Sequence, residues 1–447
     1  MSRLVAVSNR LPLGDNPSGG LVVALADALR SSGGLWVGFS GEQAEEPADR
    51  LVFHDGAPFE RASFDLTPTD YEAYYLGYSN SVLWPVCHGR PDLMHIHPEE
   101  LEGYRRVNAR IADLLVPHLR PDDRIWVQDY HLFPLAAELR SRGVTARIGH
   151  FLHIPFPGPS DMATLPNPDE MFDWLSHYDL LGFQAERDLS NFVESARQLA
   201  RIEPLAEGGY CLNGQETRAG VFPIGIDTAA FIEEARHAQV EDRMRSLTGS
   251  EIMIGVDRLD YSKGIPHRFR AFQLLLENNP DLHECISFLQ IAPPTREEVE
   301  AYRDIREETE HLAGRINGQF ATVNWTPIRF IHRPLPRKVL AGLYRQARIG
   351  LVTPLADGMN LVAKEFVAAQ DVSDPGVLIL SRFAGAAETM EDALIINPHD
   401  TWELAEAMAC AIRMTPNERR RRHSALLQGV IENDIGWWSA TYLDALN

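Results

Sequence analysis

The stretch from Val352 to Glu365, which reads VTPLADGMNLVAKE, carries residues suited to holding a charged ligand. It predicts the end of a buried strand (349–353), a turn at Asp357-Gly358 and a helix that begins near Asn360, a favoured N-cap residue. The first N–H groups of such a helix and its dipole attract an anion. Glu365, on the first turns, suits the paired hydroxyls of a nucleotide ribose. An ordinary strand-turn-helix with a surface Glu is the alternative.

The charge of the chain makes nearby cations important. The chain has 447 residues and a net charge of −21, which is not typical of a nucleic-acid-binding protein. An anionic ligand would therefore need a local group of basic residues. Arg258 and Lys263 supply one, because they follow a predicted strand (251–256) in a loop that ends at Gly264. Solvated surface charge is the alternative reading of these two residues.

A second strand-glycine-helix unit begins the chain. A predicted strand (3–8) is followed by Asn9-Arg10 and by Ser18-Gly19-Gly20, after which residues 21–29 are predicted to be helical. Paired glycines allow the backbone to approach a ligand closely. The spacing is not GxGxxG, so the dinucleotide-binding fingerprint of a dehydrogenase is absent.

Two polar residues follow successive predicted strands in the first half. Asp129 comes after the strand 124–128, and His153 ends the strand 146–153. Because open α/β sheets bind ligands at the carboxyl ends of their strands, both residues are candidates for one site. An aromatic cluster between residues 71 and 84, which includes Tyr75 and Trp84, fits either a core or a sugar-binding surface.

The alternation of strands and helices predicts parallel sheets covered by helices. The chain is too long for one such core. We therefore expect an α/β protein with two doubly wound Rossmann-like domains, 1–226 and 227–447, that face each other across a cleft, with the last helix packing back on the first domain.

Membrane and export signals are not visible in the sequence. No apolar run reaches the roughly 18–20 residues of a membrane span, and no signal peptide precedes the first predicted strand. The four cysteines form no CxxC pair and indicate a reducing compartment. A cytoplasmic location is therefore predicted.

Five longer motifs follow one another along the chain. They are Trp126-Val-Gln-Asp-Tyr-His-Leu132, Phe151-Leu-His-Ile-Pro-Phe-Pro157, Val256-Asp-Arg-Leu-Asp-Tyr-Ser-Lys-Gly264, Gly314-Arg-Ile-Asn-Gly318 and Asp357-Gly-Met-Asn-Leu-Val-Ala-Lys-Glu365. With these motifs the chain resembles, over nearly its whole length, the trehalose-6-phosphate synthase family. Members of that family are retaining glucosyltransferases of the two-domain glycosyltransferase-B (GT-B) fold.

The resemblance implies a reaction. Glucose moves from a nucleotide-glucose, usually UDP-glucose, to glucose 6-phosphate, and the products are α,α-trehalose 6-phosphate and a nucleoside diphosphate. No cofactor and no metal are expected, because arginine and lysine stabilise the leaving diphosphate. The expected partners are these small molecules, without nucleic acid or membrane, and a homo-oligomer is compatible with the family.

The resemblance also implies residue roles. The expected catalytic residues are Asp129, His153, Arg258, Lys263 and Asp357. The donor would contact Gly19, Gly20, Arg258, Lys263, Leu335, Asp357, Gly358, Met359, Asn360, Leu361, Val362 and Glu365. The acceptor would contact Arg10, Tyr75, Trp84, Asp129 and Arg296, with Arg10 and Arg296 on its phosphate.

Three departures from the family pattern keep alternatives open. Phe39 stands where Trp is usual, Gln128 where His is common, and Leu335 at an often aromatic position near the nucleotide base. The base preference therefore stays open between uracil, guanine and adenine. The alternatives are a glucosylglycerol-phosphate synthase that uses ADP-glucose and glycerol 3-phosphate, a pseudo-glycosyltransferase that couples cyclitols, and a non-catalytic sugar-phosphate-binding regulator.

Overall fold

The computed structural model describes residues 2–13, 22, 25–26, 28–30, 33–55, 58–206, 209–238 and 251–447. It divides the chain into two compact units, the first formed by Met1–Pro223 with Gly436–Asn447 and the second by Ile224–Ile435. The sequence analysis placed this boundary after residue 226. Gly19 and Gly20, which were predicted to contact the donor, lie outside the described residues.

The first unit contains a ten-stranded sheet with the order β3-β4-β2-β1-β5-β6-β7-β10-β9-β8. Its strands are β1 (Leu4–Arg10), β2 (Leu35–Gln43), β3 (Val52–His54), β4 (Glu60–Leu66), β5 (Arg124–Gln128), β6 (Arg147–Phe151), β7 (Leu180–Phe183), β8 (Ile202–Pro204), β9 (Tyr210–Leu212) and β10 (Gln215–Val221). The pairs from β4 to β10 are parallel, and antiparallel strands flank them on both sides. The central strands are short apolar runs, as is typical of strands that are covered on both faces.

Helices cover this sheet. The described ones are Pro68–Asp70, Trp84–Cys87, Pro98–Leu115, Leu135–Ser141, Pro159–Met162, Pro168–Ser176, Glu186–Leu199 and Ile435–Leu446, together with a π-helix at Tyr71–Leu83 and 3₁₀ turns at Pro91–Leu93, Val116–His118 and Tyr130–Leu132. The last helix packs on the sheet through Tyr442, whose hydroxyl donates to the His150 carbonyl at 3.0 Å. A Cβ at Gly149 or Gly182 would lie within 2.4 or 2.6 Å of the Tyr442 side chain, so this contact requires glycine at both positions.

The second unit contains a six-stranded parallel sheet with the order β13-β12-β11-β14-β15-β16. Its strands are β11 (Glu251–Val256), β12 (Ile286–Ile291), β13 (Ile328–Ile331), β14 (Ile349–Val352), β15 (Val377–Ser381) and β16 (Leu394–Ile396). In chain order this is the 3-2-1-4-5-6 arrangement of doubly wound nucleotide-binding sheets. Side chains such as Met253, Phe269, Phe272 and Ile379 form its core.

The helices of the second unit separate these strands. They are Thr228–His237, Ile265–Asn278, Glu300–Phe320, Arg337–Gln346, Leu361–Ala369, Thr401–Arg413 and Pro416–Glu432, with 3₁₀ turns at Tyr261–Lys263, Pro280–Leu282 and Gly385–Glu388. Among the helices that the structure describes, none is long and apolar enough to cross a membrane.

The parallel part of each sheet has one point at which the order of its strands reverses. In the first unit the reversal lies between β1 and β5, and in the second it lies between β11 and β14. Ligands of open α/β sheets bind outside the carboxyl ends of the strands at such a point. The loops after β1, β5, β11 and β14 are therefore where the side chains matter most.

Candidate functional site

The loops after β11 and β14 meet through an ion pair. The ammonium of Lys263 lies 2.6 Å from Oδ2 of Asp357, and the side-chain amide of Asn360 donates to the same oxygen at 3.0 Å. Gly264 closes the first loop with φ +67°, and a Cβ there would lie 2.6 Å from the carbonyl oxygen of Thr353. Three residues that were predicted as donor contacts are thus joined at the reversal point of the second sheet.

A buried arginine that sequence reasoning missed supports these loops. Arg268 is fully buried, and its guanidinium donates to Asp257 at 2.5 Å, to Thr353 at 2.6 Å and to the Lys263 carbonyl at 3.0 Å. Burial raises the pKa of Asp257, and Arg268 opposes that rise. Helical spacing gave a signal, because Arg268 lies on the same helix face as the apolar Ile265, three residues earlier.

The helix Leu361–Ala369 begins directly after these loops, so its first amide groups have no partner within the helix. Asn360 occupies the N-cap position of this helix, as the sequence predicts. It has φ +78° and makes no side-chain capping bond: its NH₂ group donates to Asp357, and its Oδ1 accepts no hydrogen bond in the described part of the chain. Met359 is buried, and its carbonyl accepts from Ala386 N at 2.9 Å, which braces the turn from the loop after β15.

Glu365 lies on this helix in an environment that opposes its charge. Burial raises the pKa of Glu365 from its usual 4.5 to about 7, the Arg337 guanidinium lowers it and the Glu234 carboxylate adds to the rise. Arg337 itself pairs with Glu234 at 3.4 Å. Leu335 lies two residues before the helix Arg337–Gln346 and is partly exposed.

The predicted cations of the second unit differ in exposure. Arg258 is exposed on the loop after β11, whereas the side chain of Arg296 is 6% exposed and lies 3.7 Å from Asp260. Arg296 has φ +49°, which places it in the left-handed region. The loop of Lys263 and the loop of Arg296 therefore meet through Asp260.

In the first unit, Asp129 and His153 are in direct contact, as their positions after β5 and β6 predict. The backbone N–H of His153 donates to Oδ1 of Asp129 at 3.2 Å, and the Asp129 N–H donates to the Phe151 carbonyl at 2.8 Å. Asp129 has φ +73°, an uncommon conformation for a residue other than glycine. Such strain is characteristic of functional positions, where the surroundings hold the residue in place.

His153 is held between two glutamines. Its Nε2 lies 2.9 Å from Oε1 of Gln128, and its Nδ1 lies 3.4 Å from Nε2 of Gln184. Because an amide oxygen only accepts and an amide NH₂ only donates, the proton of the neutral ring belongs on Nε2. Burial, and to a smaller extent His150, lower the pKa of His153 to about 3. The ring is therefore a neutral hydrogen-bonding group at physiological pH.

Two of the predicted acceptor residues lie in aromatic pairs. Tyr75 stacks on His131, with ring centres 5.8 Å apart and an angle of 11° between the planes. Trp84 is 3% exposed and packs against Tyr130 at 5.7 Å.

Arg10, at the end of β1, is exposed, and its neighbour Asn9 accepts a hydrogen bond at 3.0 Å from Tyr74, the neighbour of Tyr75. All five predicted acceptor-site residues are thus described, four of them in this unit and Arg296 in the other.

Comparisons with known proteins decide the family. The family model described as Glycosyltransferase family 20 matches residues 9–447. This chain belongs to glycosyltransferase family 20. A trehalose-6-phosphate synthase of Klebsiella pneumoniae is 47% identical over 455 residues, covering 100% of this chain and 95% of that protein.

Two solved structures of relatives are similar to this family 20 chain over almost their whole length. A trehalose-6-phosphate structure from E. coli, bound with UDP-2-fluoro glucose, has a TM-score of 0.96, 44% identity and coverage of 100% of this chain and 99% of that one. A UDP-forming α,α-trehalose-phosphate synthase from Burkholderia xenovorans, in complex with glucose-6-phosphate, has a TM-score of 0.95, 45% identity and coverage of 99% and 100%. The predicted α/β GT-B fold of two doubly wound domains is confirmed.

Side chains that could bind a metal ion are not grouped in the described structure. Within the described ranges, no group of three or more His, Cys, Asp or Glu side chains is arranged to hold a metal ion. The expectation that the enzyme needs no metal and no cofactor stays a prediction.

Proposed function

We propose that this glycosyltransferase moves glucose from UDP-glucose to glucose 6-phosphate with retention of configuration, which gives α,α-trehalose 6-phosphate and UDP. The observation that carries this proposal is the junction of Lys263, Asp357 and Asn360 at the reversal point of the second sheet. That junction combines a fixed cation with the start of the helix Leu361–Ala369. The relatives bound to UDP-2-fluoro glucose and to glucose-6-phosphate support this substrate pair.

Arg258 and Lys263 hold the donor diphosphate in this proposal, together with the amides of Leu361 and Val362. A leaving diphosphate gains negative charge in the transition state. Fixed cations and helix-end amides stabilise that charge without reorganising at the moment of reaction. The contact between Lys263 and Asp357 supports this role, because it holds the ammonium in place before the charge develops.

The nucleoside lies beside the diphosphate. Glu365 accepts hydrogen bonds from the ribose hydroxyls, and Leu335 contacts the base. Gly358, Met359 and Asn360 form the turn that receives the transferred glucose. Gly19 and Gly20, which lie outside the described residues, are further donor contacts in this proposal. Asp357 and His153 contact the glucose hydroxyls. The neutral state of the His153 ring supports a hydrogen-bonding role rather than that of a proton donor.

The remaining predicted residues bind the acceptor, glucose 6-phosphate. Arg10 and Arg296 bind the phosphate, and Tyr75, Trp84 and Asp129 bind the hexose. The aromatic stack of Tyr75 and His131 supports this assignment, because the flat apolar face of an aromatic ring suits a sugar ring.

The reaction balances without further reagents. The bond from the anomeric carbon of the donor to the β-phosphate oxygen breaks, and a bond to the anomeric oxygen of glucose 6-phosphate forms on the same face. The proton of the acceptor hydroxyl passes to the leaving phosphate oxygen. This route needs no pair of glycosidase carboxylates. We also propose that no metal is required, since Arg258 and Lys263 supply the positive charge; unchanged turnover after EDTA treatment is the expected result.

The location and the assembly state are also proposals. All four cysteines are free, which supports a reducing compartment and therefore the cytoplasm. A homo-oligomer stays a prediction from the resemblance, and light scattering of the purified protein tests it.

The experiment that tests the function is product formation by the purified protein. Glucose 6-phosphate is supplied with UDP-, GDP- or ADP-glucose in parallel, and glycerol 3-phosphate serves as the second acceptor. We expect trehalose 6-phosphate, with UDP-glucose as the best donor. Product only from ADP-glucose and glycerol 3-phosphate would assign the sister activity. No product from any pair would make the protein a sugar-phosphate-binding regulator.

A further inference from the structure

The hydroxyl of Tyr302 stands between two buried charges. Nη1 of Arg296 donates to this hydroxyl at 2.5 Å, and the hydroxyl donates to Oδ2 of Asp260 at 2.9 Å. Arg296 and Asp260 are themselves 3.7 Å apart. A guanidinium only donates and a carboxylate only accepts, so the direction of both hydrogen bonds is fixed. Tyr302 is 3% exposed and Asp260 is fully buried, so water does not compete at this position.

The other end of Asp260 shapes the loop that carries Lys263. Oδ1 of Asp260 accepts from the backbone N–H of Ser262 at 2.9 Å, and the Asp260 carbonyl accepts from the N–H of Lys263 at 3.0 Å. These bonds form the 3₁₀ turn Tyr261–Lys263. Asp260 therefore joins the position of Arg296 to the position of the Lys263 ammonium.

We infer that Tyr302 is a positioning residue that spaces Arg296 from Asp260 and thereby presents the guanidinium to the phosphate of the acceptor. This inference rests on the proposed function, which assigns Arg296 to that phosphate. The N–H donors of Arg296 lie in one plane, and the hydrogen bond to Tyr302 fixes the orientation of that plane. Holding the guanidinium in one orientation before binding lowers the cost of ordering it.

Removal of the hydroxyl has a defined consequence. Without it, the buried Oδ2 of Asp260 loses the hydrogen bond that Tyr302 donates, and the loss of a hydrogen bond to a buried charge is costly. Arg296 is the cation next to it, so the guanidinium moves onto Asp260 and away from the ligand. The position of the turn at Ser262 changes less, because Oδ1 of Asp260 still accepts from that residue. The acceptor site is therefore affected before the donor site.

The test is Tyr302→Phe, which keeps the ring and its packing. Tyr344→Phe is the matched control, because that hydroxyl is buried in the same unit with no hydrogen-bond partner in the described part of the chain. We expect Tyr302→Phe to raise the KM for glucose 6-phosphate about tenfold or more, the range for a hydrogen bond to a charged group. The KM for UDP-glucose and both constants of Tyr344→Phe should stay near those of the wild type.

Glucose without its phosphate separates positioning from general damage. If Tyr302 acts through the phosphate contact, kcat/KM for glucose as acceptor is the same in the wild type and in Tyr302→Phe. An equal loss with glucose and with glucose 6-phosphate, or no loss with either, overturns the inference. Asp260→Asn is the second variant, and it should raise the KM of both substrates because Asp260 also forms the Lys263 turn.

The outcomes distinguish this inference from the proposed function. If the wild type is active and Tyr302→Phe has normal kinetic constants, only the role of Tyr302 is contradicted. If the wild type is active and Arg296→Ala has a normal KM for glucose 6-phosphate, Arg296 does not bind the phosphate. The inference then fails together with that assignment. If the wild type neither turns over nor binds glucose 6-phosphate by calorimetry, both proposals fail.

Discussion

Glu365 gives a prediction in which stability and binding change in opposite directions. Its carboxyl group is largely buried on the helix Leu361–Ala369, and burial raises its pKa from 4.5 to about 7. The neutral isostere Glu365→Gln removes the ionisation and keeps the size of the side chain. We expect this variant to be more stable than the wild type above neutral pH and to bind UDP more weakly.

The size of the stability change follows from the two pKa values. The difference between 4.5 and about 7 corresponds to about 3 kcal/mol. The folded pKa is the higher one, so the unfolded chain loses the proton first. Below about pH 4.5 the carboxyl is protonated in both states and costs nothing. Stability then falls as the pH rises to about 7, and above that pH the full cost is present.

The assay is thermal unfolding of both proteins from pH 5 to pH 9. For a unit of about two hundred residues, 1 kcal/mol shifts Tm by about 2–4 °C. Because Glu365 is partly exposed and solvent screens part of the cost, we expect Glu365→Gln to melt about 5 °C higher at pH 8 and only slightly higher at pH 5. Glu406→Gln, on an exposed face of the helix Thr401–Arg413, is the control for the substitution itself.

Binding of UDP completes the test. Saturating UDP should raise the Tm of the wild type more than that of Glu365→Gln, because the carboxylate is proposed to accept from the ribose hydroxyls. A constant difference in Tm between the two proteins at every pH would refute the burial argument. An equal effect of UDP on both proteins would remove Glu365 from the nucleoside site.

Three further predictions concern single residues. Arg258→Ala and Lys263→Ala should each lower kcat by about 100-fold or more in steady-state assays, the scale for losing one transition-state charge contact; near-normal turnover would exclude them from the diphosphate site. Arg296→Ala should raise the KM for glucose 6-phosphate far more than the KM for UDP-glucose. A larger rise in the KM for UDP-glucose would show that the assignment of Arg296 to the acceptor site is wrong. Gln128→Glu should raise the pKa of His153, because a carboxylate favours the imidazolium. A pH titration of the ring by nitrogen-15 NMR should then show protonation at a higher pH in the variant than in the wild type, and identical titrations would contradict this argument.

Sequence alone predicted which loops carry the candidate site residues, because β-α alternation fixes which loops lie at the carboxyl edge of a parallel sheet. The loop 257–264 and the stretch 357–365 follow β11 and β14, so their meeting required only the common doubly wound order. Asp129 and His153 follow β5 and β6 for the same reason. The side chains that meet there could be located to a loop, and the family resemblance supplied their roles.

What was missed depends on tertiary packing. The phase of the helix Ile265–Asn278 directs Arg268 inward, but only the ends of β11 and β14 provide its acceptors. The π-helix Tyr71–Leu83 has no distinct apolar spacing in the sequence, so only its aromatic content was noted. Asn360 stands at the N-cap position that its residue type predicts, but its φ of +78° and the hydrogen bond from its NH₂ group to Asp357 are not visible in the sequence.

The return of residues 436–447 to the first unit has a consequence for synthesis on the ribosome. Gly149 and Gly182 form a trough in the first sheet that Tyr442 fills, and the Trp438 ring packs 5.0 Å from Trp126. These partners emerge only after the entire second unit has been translated. The first unit is translated first, but its apolar trough stays uncovered until residues 436–447 have been made. The second unit is contiguous in sequence and can complete its core earlier.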